Sequence, residues 1–253
     1  MSGDVAISFV VPAYNEEAHL ARTLQAIIGE IRRVGCIAEV IVVNNASTDS
    51  TGEVAASFVP AFAGLCVVDE PVKGLVQARR AGFLRATGAL IANVDADTII
   101  TEGWLDRALA EFRGDPQMVA LSGPYIYYDV PTATRVVVRA FYGLGYVFYV
   151  INRFVLKVGS LLQGGNFVVR RSAMEAIGGY NPRFSFYGED TDLARRLNDV
   201  GAVKFSFKLS ALSSGRRLLG EGLLRMGVRY AMNFVWATFL RRPFTKRWID
   251  IRQ

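Results

Sequence analysis

Residues 89–97 read ALIANVDAD, an apolar run closed by Asp95-Ala96-Asp97. A short run without charge describes a strand buried on both faces. Carboxylates two residues apart on extended backbone point the same way. Asp95 and Asp97 therefore leave the strand side by side. Such a pair can hold a hard divalent ion, Mg2+ or Mn2+, with a substrate's phosphates completing the shell. Two acids also occur as plain turn residues, and it is the surrounding pattern that favours the first reading.

Working towards the N-terminus, residues 65–68, 39–43 (EVIVV) and 5–11 (VAISFVV) are three more short apolar strands. Helical stretches separate them. The first is read from a cap at Asn15 to about residue 31, with Glu16 and Glu17 in its first turn, where acids suit the helix dipole. The second follows the polar turn of residues 44–51. The third covers residues 75–87, with Gly88 as its stop. This alternation predicts an α/β fold, a mainly parallel doubly wound sheet flanked by helices, with ligands at the carboxyl ends of the strands.

The chain has 253 residues, enough for one large domain or two small ones. Its 51% apolar and 21% charged content excludes disorder and collagen-like structure. Two cysteines, Cys36 and Cys66, cannot build a disulfide framework or a four-thiolate zinc site. The single histidine, His19, excludes a His-rich metal centre and reads as a surface residue on the first helix. The chain has no P-loop, no dinucleotide-binding glycine motif, no C-x-x-C and no H-E-x-x-H. The start, MSGDVAISFVVPAYNEE, has neither a basic region nor a cleavage site, so a signal peptide is not expected.

Beyond residue 116 the texture changes. Residues 136–162 are rich in Tyr, Phe and Val, but their longest charge-free run, 140–152, is short for a membrane span. Gly164-Gly165-Asn166 precedes an apolar strand at 167–169, and Gly188-Glu189-Asp190 opens a helix to about residue 200. From residue 208 onward ten basic residues face only Glu221 and Asp250, a net charge of +8. Residues 216–240 read as one amphipathic helix with Arg217, Glu221, Arg225 and Arg229 on a stripe. That pattern fits an interfacial membrane helix or a core-packing helix with an arginine-lined outer face. The basic tail favours an anionic membrane surface. No nucleic-acid-binding motif accompanies the charge, so nucleic acid is not expected as a partner.

Three further clusters could carry chemistry. Asp190, with Glu189 beside it, could accept a hydroxyl proton; acids at a helix start also suit the dipole without any further role. The polar turn containing Asn45 could grip a nucleobase or ribose, or simply cap a turn. Lys73 or Arg79 could neutralise a diphosphate, although solvated surface charge is the ordinary reading of either.

Taken in order over residues 5–215, these segments resemble the family 2 glycosyltransferases of GT-A fold. The carriers are Val10–Glu16 (VVPAYNE), Ile41–Asp49 (IVVNNASTD), Ala78–Gly82 (ARRAG), the Asp95-Ala96-Asp97 acid motif, Gly164–Phe167 (GGNF) and Gly188-Glu189-Asp190. The resemblance implies a nucleotide-sugar half over about 1–115, an acceptor half over about 116–215, and a basic helical tail at 216–253. It implies that Pro12, Tyr14, Glu16 and Asn45 line the nucleotide pocket and that Asp95 meets the ribose or sugar. Asp97 would ligate Mn2+ or Mg2+ on the diphosphate. Asp190 would deprotonate the acceptor, with Glu189 shaping its site. The family often has an acid where this chain has Asn45, so the nucleotide (UDP, GDP or TDP) stays open. The implied reaction is a single inverting displacement.

The aromatic segment and the basic tail add the expectation of a lipid-linked or glycan acceptor at the cytoplasmic, inner face of the cell membrane. Three other readings compete. A sugar nucleotidyltransferase should carry a glycine-rich basic loop after its first strand, which Pro12–Glu17 is not. A catalytically silent nucleotide-sugar-binding scaffold would not need Asp95, Asp97 and Asp190. An integral membrane protein would have to bury Arg153 and Lys157, or Arg225 and Arg229, in lipid.

Overall fold

The computed structural model describes residues 4–156 and 161–245. Its first half alternates as expected: β1 (Ile7–Ala13), α1 (Leu20–Val34), β2 (Ala38–Asn44), α2 (Thr51–Ser57), β3 (Leu65–Asp69), α3 (Leu75–Arg85) and β4 (Leu90–Val94). There follow β5 (Thr98–Ile100), α4 (Trp104–Gly114), β6 (Met118–Ser122), β7 (Tyr125–Tyr127) and α5 (Thr132–Val150). After these come β8 (Asn166–Arg170), α6 (Arg171–Ala176), α7 (Glu189–Asn198), β9 (Ala202–Phe205), β10 (Ala211–Ser213), α8 (Arg216–Glu221) and α9 (Leu223–Val235).

A seven-stranded sheet runs in the order β3-β2-β1-β4-β8-β6-β9. All its pairings are parallel except the two made by β8. Successive residues of β1 feed opposite layers of the core. Phe9 and Val11 pack with Leu24, Ile27 and Trp104 on one side, while Val10 packs with Ile41, Phe167 and Leu193 on the other. Burial on both faces is why these strands read as continuous apolar runs. A small second sheet, β5-β10-β7, crosses the carboxyl end of the large one. It gathers the segment after Asp97, the Tyr125–Tyr127 strand and the Ser213–Ser214 turn.

Three local expectations are corrected. The first helix starts at Leu20, not at Asn15. Asn15 adopts a left-handed φ of 49°, and its Oδ1 accepts the Thr48 N–H at 2.9 Å. A short polar side chain that bonds across to the next loop competes with helix formation, so residues 14–19 stay a loop at the sheet's ligand edge. The third helix ends at Arg85, with Ala86 extended, and Gly88 is not its stop. Gly88 instead lies against Ser8, where a Cβ would come within 2.7 Å of the Ser8 nitrogen.

Residues 216–240 are not one helix. Gly222, at φ 82°, separates α8 from α9, and a π-helical turn, Trp236–Leu240, follows. Two of the stripe's three arginines turn inward, while Arg225 stays exposed. Arg217 Nη1 donates to Glu221 at 2.9 Å, and Arg229 pairs with the same carboxylate. The two guanidinium groups lie over the rings of Phe186 and Tyr187. The outward face is apolar instead, with Leu219, Val228, Val235, Phe239 and Leu240 exposed. Of the stripe's arginines only Arg225 is exposed, so the outer face is largely apolar rather than arginine-lined. α5 is similarly bare, with Val136, Val137, Phe141, Leu144, Val147 and Phe148 exposed. By length and composition the 22 residues Thr132–Arg153 could cross a membrane. Lys157, Lys246, Arg247, Asp250 and Arg252, which entered the expectations above, lie outside the described residues.

Candidate active site

A cavity of about 140 Å3 opens where β1, β4 and the small sheet end. Pro12, Tyr14, Asn45 and Lys73 line one end, Asp95 and Asp97 its floor, and Tyr125, Tyr127, Gln163 and Gly164 the opposite wall. α8 and α9 close it with Arg216, Arg217, Leu218, Met226 and Tyr230. The tail read as a separate segment from residue 216 thus supplies part of the wall.

At the Tyr14 end the Lys73 ammonium lies 3.8 Å from the centre of the Tyr14 ring. Asn45 is buried and its amide is committed to the adjacent loop. Nδ2 donates to the Glu70 and Val72 carbonyls at 3.0 and 2.8 Å, and Oδ1 accepts the Gly74 N–H at 2.7 Å. Asn45 therefore builds the loop that carries Lys73 rather than offering a free amide edge. Glu16 is 1% exposed and not on the cavity wall. Its carboxylate pairs with Arg216, which does reach the wall.

Asp95 and Asp97 both line the cavity, but they lie in a turn after β4, closed by the Thr98 N–H donating to the Asp95 carbonyl at 2.9 Å, and not on extended backbone. The Asp95 N–H donates to the Gly165 carbonyl at 3.2 Å. Gly165 has a φ of 78°, and a Cβ there would overlap the Asp95 carboxylate and the Tyr125 hydroxyl. Only glycine lets residues 164–165 approach so closely. The Tyr125 hydroxyl donates to the Gly164 carbonyl at 2.7 Å and lies 3.4 Å from Asp95 Oδ2. Asp97 Oδ2 accepts from Arg216 Nη2 at 3.0 Å. No group of three or more His, Cys, Asp or Glu side chains is arranged around a common metal position among the described residues. A hard divalent ion here would be held by these two carboxylates and would need its other oxygens from substrate and water.

Arg79 departs from its expected place. It is 1% exposed, does not line the cavity, and is no surface cation available to a diphosphate. Nη2 reaches Asp95 Oδ1 at 3.0 Å, and Nη1 pairs with Glu189 Oε1. Burial alone would lower its pKa, but the carboxylates of Glu189 and Asp95 hold it above the usual arginine value. α3 can lie this close to the sheet because Gly82 has no side chain; a Cβ there would overlap Val10.

Glu189 and Asp190 open α7. Glu189 turns inward to Arg79 and is buried, and burial pushes its carboxyl up to about 7. Asp190 stands behind Gly164, whose N–H donates to Oδ2 at 3.3 Å, while the Thr191 N–H donates to Oδ1 at 2.8 Å. Burial raises the Asp190 carboxyl as well. A carboxyl held above its ordinary range is a better proton acceptor at neutral pH.

Sequence reasoning missed the small sheet and the residues it delivers: Tyr125, Tyr127, Arg216 and, from α9, Tyr230. The one available signal was Ser214-Gly215-Arg216. The Ser214 hydroxyl and Gly215 N–H donate to Asp129 at 2.6 and 2.5 Å, and this bend turns Arg216 inward.

Residues 8–178 match the family model described as glycosyl transferase family 2. Residues 156–211 match one described as the N-terminal domain of galactosyltransferase. Glycosyltransferase AglE of Haloferax volcanii is 27% identical over 77% of this chain and 62% of its own length. The probable glycosyltransferase YdaM of Bacillus subtilis is 26% identical, and the chain spans 47% of that protein. A dolichyl-phosphate beta-glucosyltransferase, ALG5D, of Trichomonas vaginalis is 27% identical over 92% of this chain and 76% of its own. In three dimensions the chain is similar to mannosyltransferase PcManGT of Pyrobaculum calidifontis, solved with GDP-Man and Mn2+. The TM-score is 0.72 at 20% identity, over 95% of this chain and 65% of that one. S. aureus TarS with UDP-GlcNAc gives 0.61 at 15% identity, over 93% and 73%. These likenesses show the fold, the GT-A arrangement that the motifs suggested.

Proposed function

The chain belongs to glycosyl transferase family 2, and from that premise we propose that it moves a sugar from a nucleotide-sugar donor to an acceptor hydroxyl with inversion. One observation carries the reading: Asp95 and Asp97 line the same cavity as Gly164, which holds Asp190 at its back. Asp190 is not itself on the cavity wall; it stands directly behind it, joined to the wall through the Gly164 N–H.

Tyr14 and Lys73 receive the nucleotide, and Asp95 meets its ribose or the sugar. Asp97, with Asp95, holds Mn2+ or Mg2+; when bound, such an ion neutralises charge developing on the departing diphosphate. Asp190 takes the acceptor proton as the hydroxyl attacks the anomeric carbon from the face opposite the leaving group. Glu189 and Arg79 lie behind this line and fix its geometry.

The acceptor is lipid-linked and is met at a membrane surface. Two apolar helix faces support this. Met226 and Tyr230 of α9 line the cavity, and the Tyr142 hydroxyl of α5 donates to cavity residue Gln163 at 2.8 Å. The cavity is therefore flanked by helices whose outward sides are largely apolar, with Arg139 on α5 and Arg225 on α9 exposed among those side chains. Among the exposed basic groups beside them are Arg225, Arg241 and Arg242, which suit anionic headgroups. The relative named for dolichyl phosphate points the same way.

The test is donor turnover. Purified protein with Mn2+ or Mg2+ meets a panel of UDP-, GDP- and TDP-sugars, with and without a membrane lipid extract. Release from one donor, raised by the extract and lost in Asp97→Ala, is expected. Binding without release in any condition would contradict transfer. Release indifferent to lipid would contradict the membrane acceptor.

A further inference from the structure

We propose that Arg79 is a positioning residue for transfer, tying donor-side Asp95 to the Glu189–Asp190 step so that donor and base keep a fixed separation. The inference rests on the sugar-transfer reading above. Arg79 is among the largest fully buried side chains of the molecule. It lies on α3, between two elements that the sequence holds far apart: Asp95 after β4 and Glu189 at the start of α7.

Its fork commits one nitrogen to each carboxylate, Nη2 to Asp95 at 3.0 Å and Nη1 to Glu189. A lysine has a single point of charge and cannot hold both in that geometry. A second tie joins the same two ends through the backbone. Gly165 accepts the Asp95 N–H at 3.2 Å, and Gly164 donates to Asp190 at 3.3 Å. Gly164 marks where the ties converge. A Cβ there would lie 3.3 Å from Glu189 Oε1, 3.4 Å from Asp190 Oδ2 and 3.6 Å from Arg79 Nη1.

Side chain and backbone thus brace one junction from two sides. The guanidinium also lies 5.8 Å from the centre of the Phe167 ring, itself fully buried. Arg79 does not reach the cavity wall, so it acts through Asp95 and Glu189. Misplacing reacting groups by about 1 Å can cost on the order of a hundredfold in rate.

Removing a buried arginine also strands the carboxylates it neutralises, which destabilises any protein. The experiment separates the two effects. Wild type, Glu189→Gln, Arg79→Lys, Arg79→Met and the double variant Arg79→Met/Glu189→Gln are compared for melting temperature, donor binding and kcat. Gln at 189 still accepts from Arg79, so the single Glu189→Gln keeps the tie. In the double variant the stranded Glu189 charge is gone, and much of the melting temperature lost in Arg79→Met returns.

Positioning predicts that kcat in the double variant stays at least tenfold below Glu189→Gln. It predicts the same deficit for Arg79→Lys, with donor affinity within about threefold of wild type in both. If kcat of the double variant recovers along with stability, Arg79 only balances charge and the proposal is overturned. Near-normal kcat in Arg79→Lys overturns it too. A wild-type protein inactive with every donor overturns the sugar-transfer reading itself, a result distinct from either.

Discussion

α1 and α9 are both amphipathic helices of similar length, yet they are built in opposite senses. α1 buries Leu20, Leu24, Ile27 and Ile31 and leaves Arg32 and Arg33 at its outer end. α9, with α8 before it, turns Arg217 and Arg229 in onto Glu221 and the rings of Phe186 and Tyr187. Val228 and Val235 are left outside. The first arrangement is what water selects. The second leaves apolar surface exposed and places arginine where polar partners were built for it. Contiguous exposed apolar area of this kind marks an interaction surface. α1 thus keeps its apolar side chains inside and its arginines at the outer end, whereas α8 and α9 leave much of their apolar side outside.

The largest effect that would sharpen this contrast falls on the donor side. Asp97→Ala should lower metal-dependent transfer by at least a hundredfold and weaken donor binding, read by steady-state kinetics and donor titration. Preserved metal dependence in that variant would remove Asp97 from the site. Next comes the packing contrast between the two helices. Ile27→Ala should cost about 2–5 kcal/mol of unfolding free energy, whereas Val228→Ala should stay within about 0.5 kcal/mol. Denaturant unfolding checks both, and a comparable loss at Val228 would mean that its face is packed rather than bare.

A third prediction concerns the medium. The double variant Phe141→Glu/Phe239→Glu should reduce association with anionic vesicles about tenfold or more while leaving the melting temperature near wild type. Equal vesicle binding by the variant and the wild type would break the comparison.

The smallest effect is in pH. Burial raises the Asp190 carboxyl and brings Glu189 up to about 7. A base must be ionised, so turnover should fall on the acid side along a limb above the ordinary carboxylate range. Stability has the opposite sign. A carboxyl raised by folding contributes stability below its unfolded pKa and loses it as pH rises through the folded one. The Glu189 contribution should therefore fade as pH climbs from about 4.5 through about 7, while turnover grows. Melting curves and rate profiles over that range would show whether the two move oppositely.

How far the sequence was legible follows from the same physics. β1, β2 and β4 could be read because strands buried on both faces are uninterrupted apolar runs. Asp95 and Asp97 could be placed at the strand exit because the apolar run stops at Val94, although they lie in a turn rather than on the extended backbone that was expected. Arg79 could not, since an arginine on a helix is ordinarily solvated and its partner Glu189 lies 110 residues away. Asn15 looked like a helix cap because its bond to Thr48 depends on a neighbouring loop. The antiparallel β8, inserted between β4 and β6, carries no local mark of its orientation. In the tail the amphipathic pattern was legible but which side faces out was not, because periodicity fixes a stripe and only the packed body fixes its direction; Arg217 and Arg229 turn in onto Glu221 while Arg225 stays out. Gly222 was the visible hint that the helix breaks.

The most direct test of the central claim is Asp190→Asn, assayed for donor binding and for transfer in the same preparation. The variant should bind donor within about threefold of wild type and transfer on the order of a hundredfold more slowly or worse, the range expected on losing a general base. Near-normal transfer by that variant would contradict the assignment of Asp190 as the base.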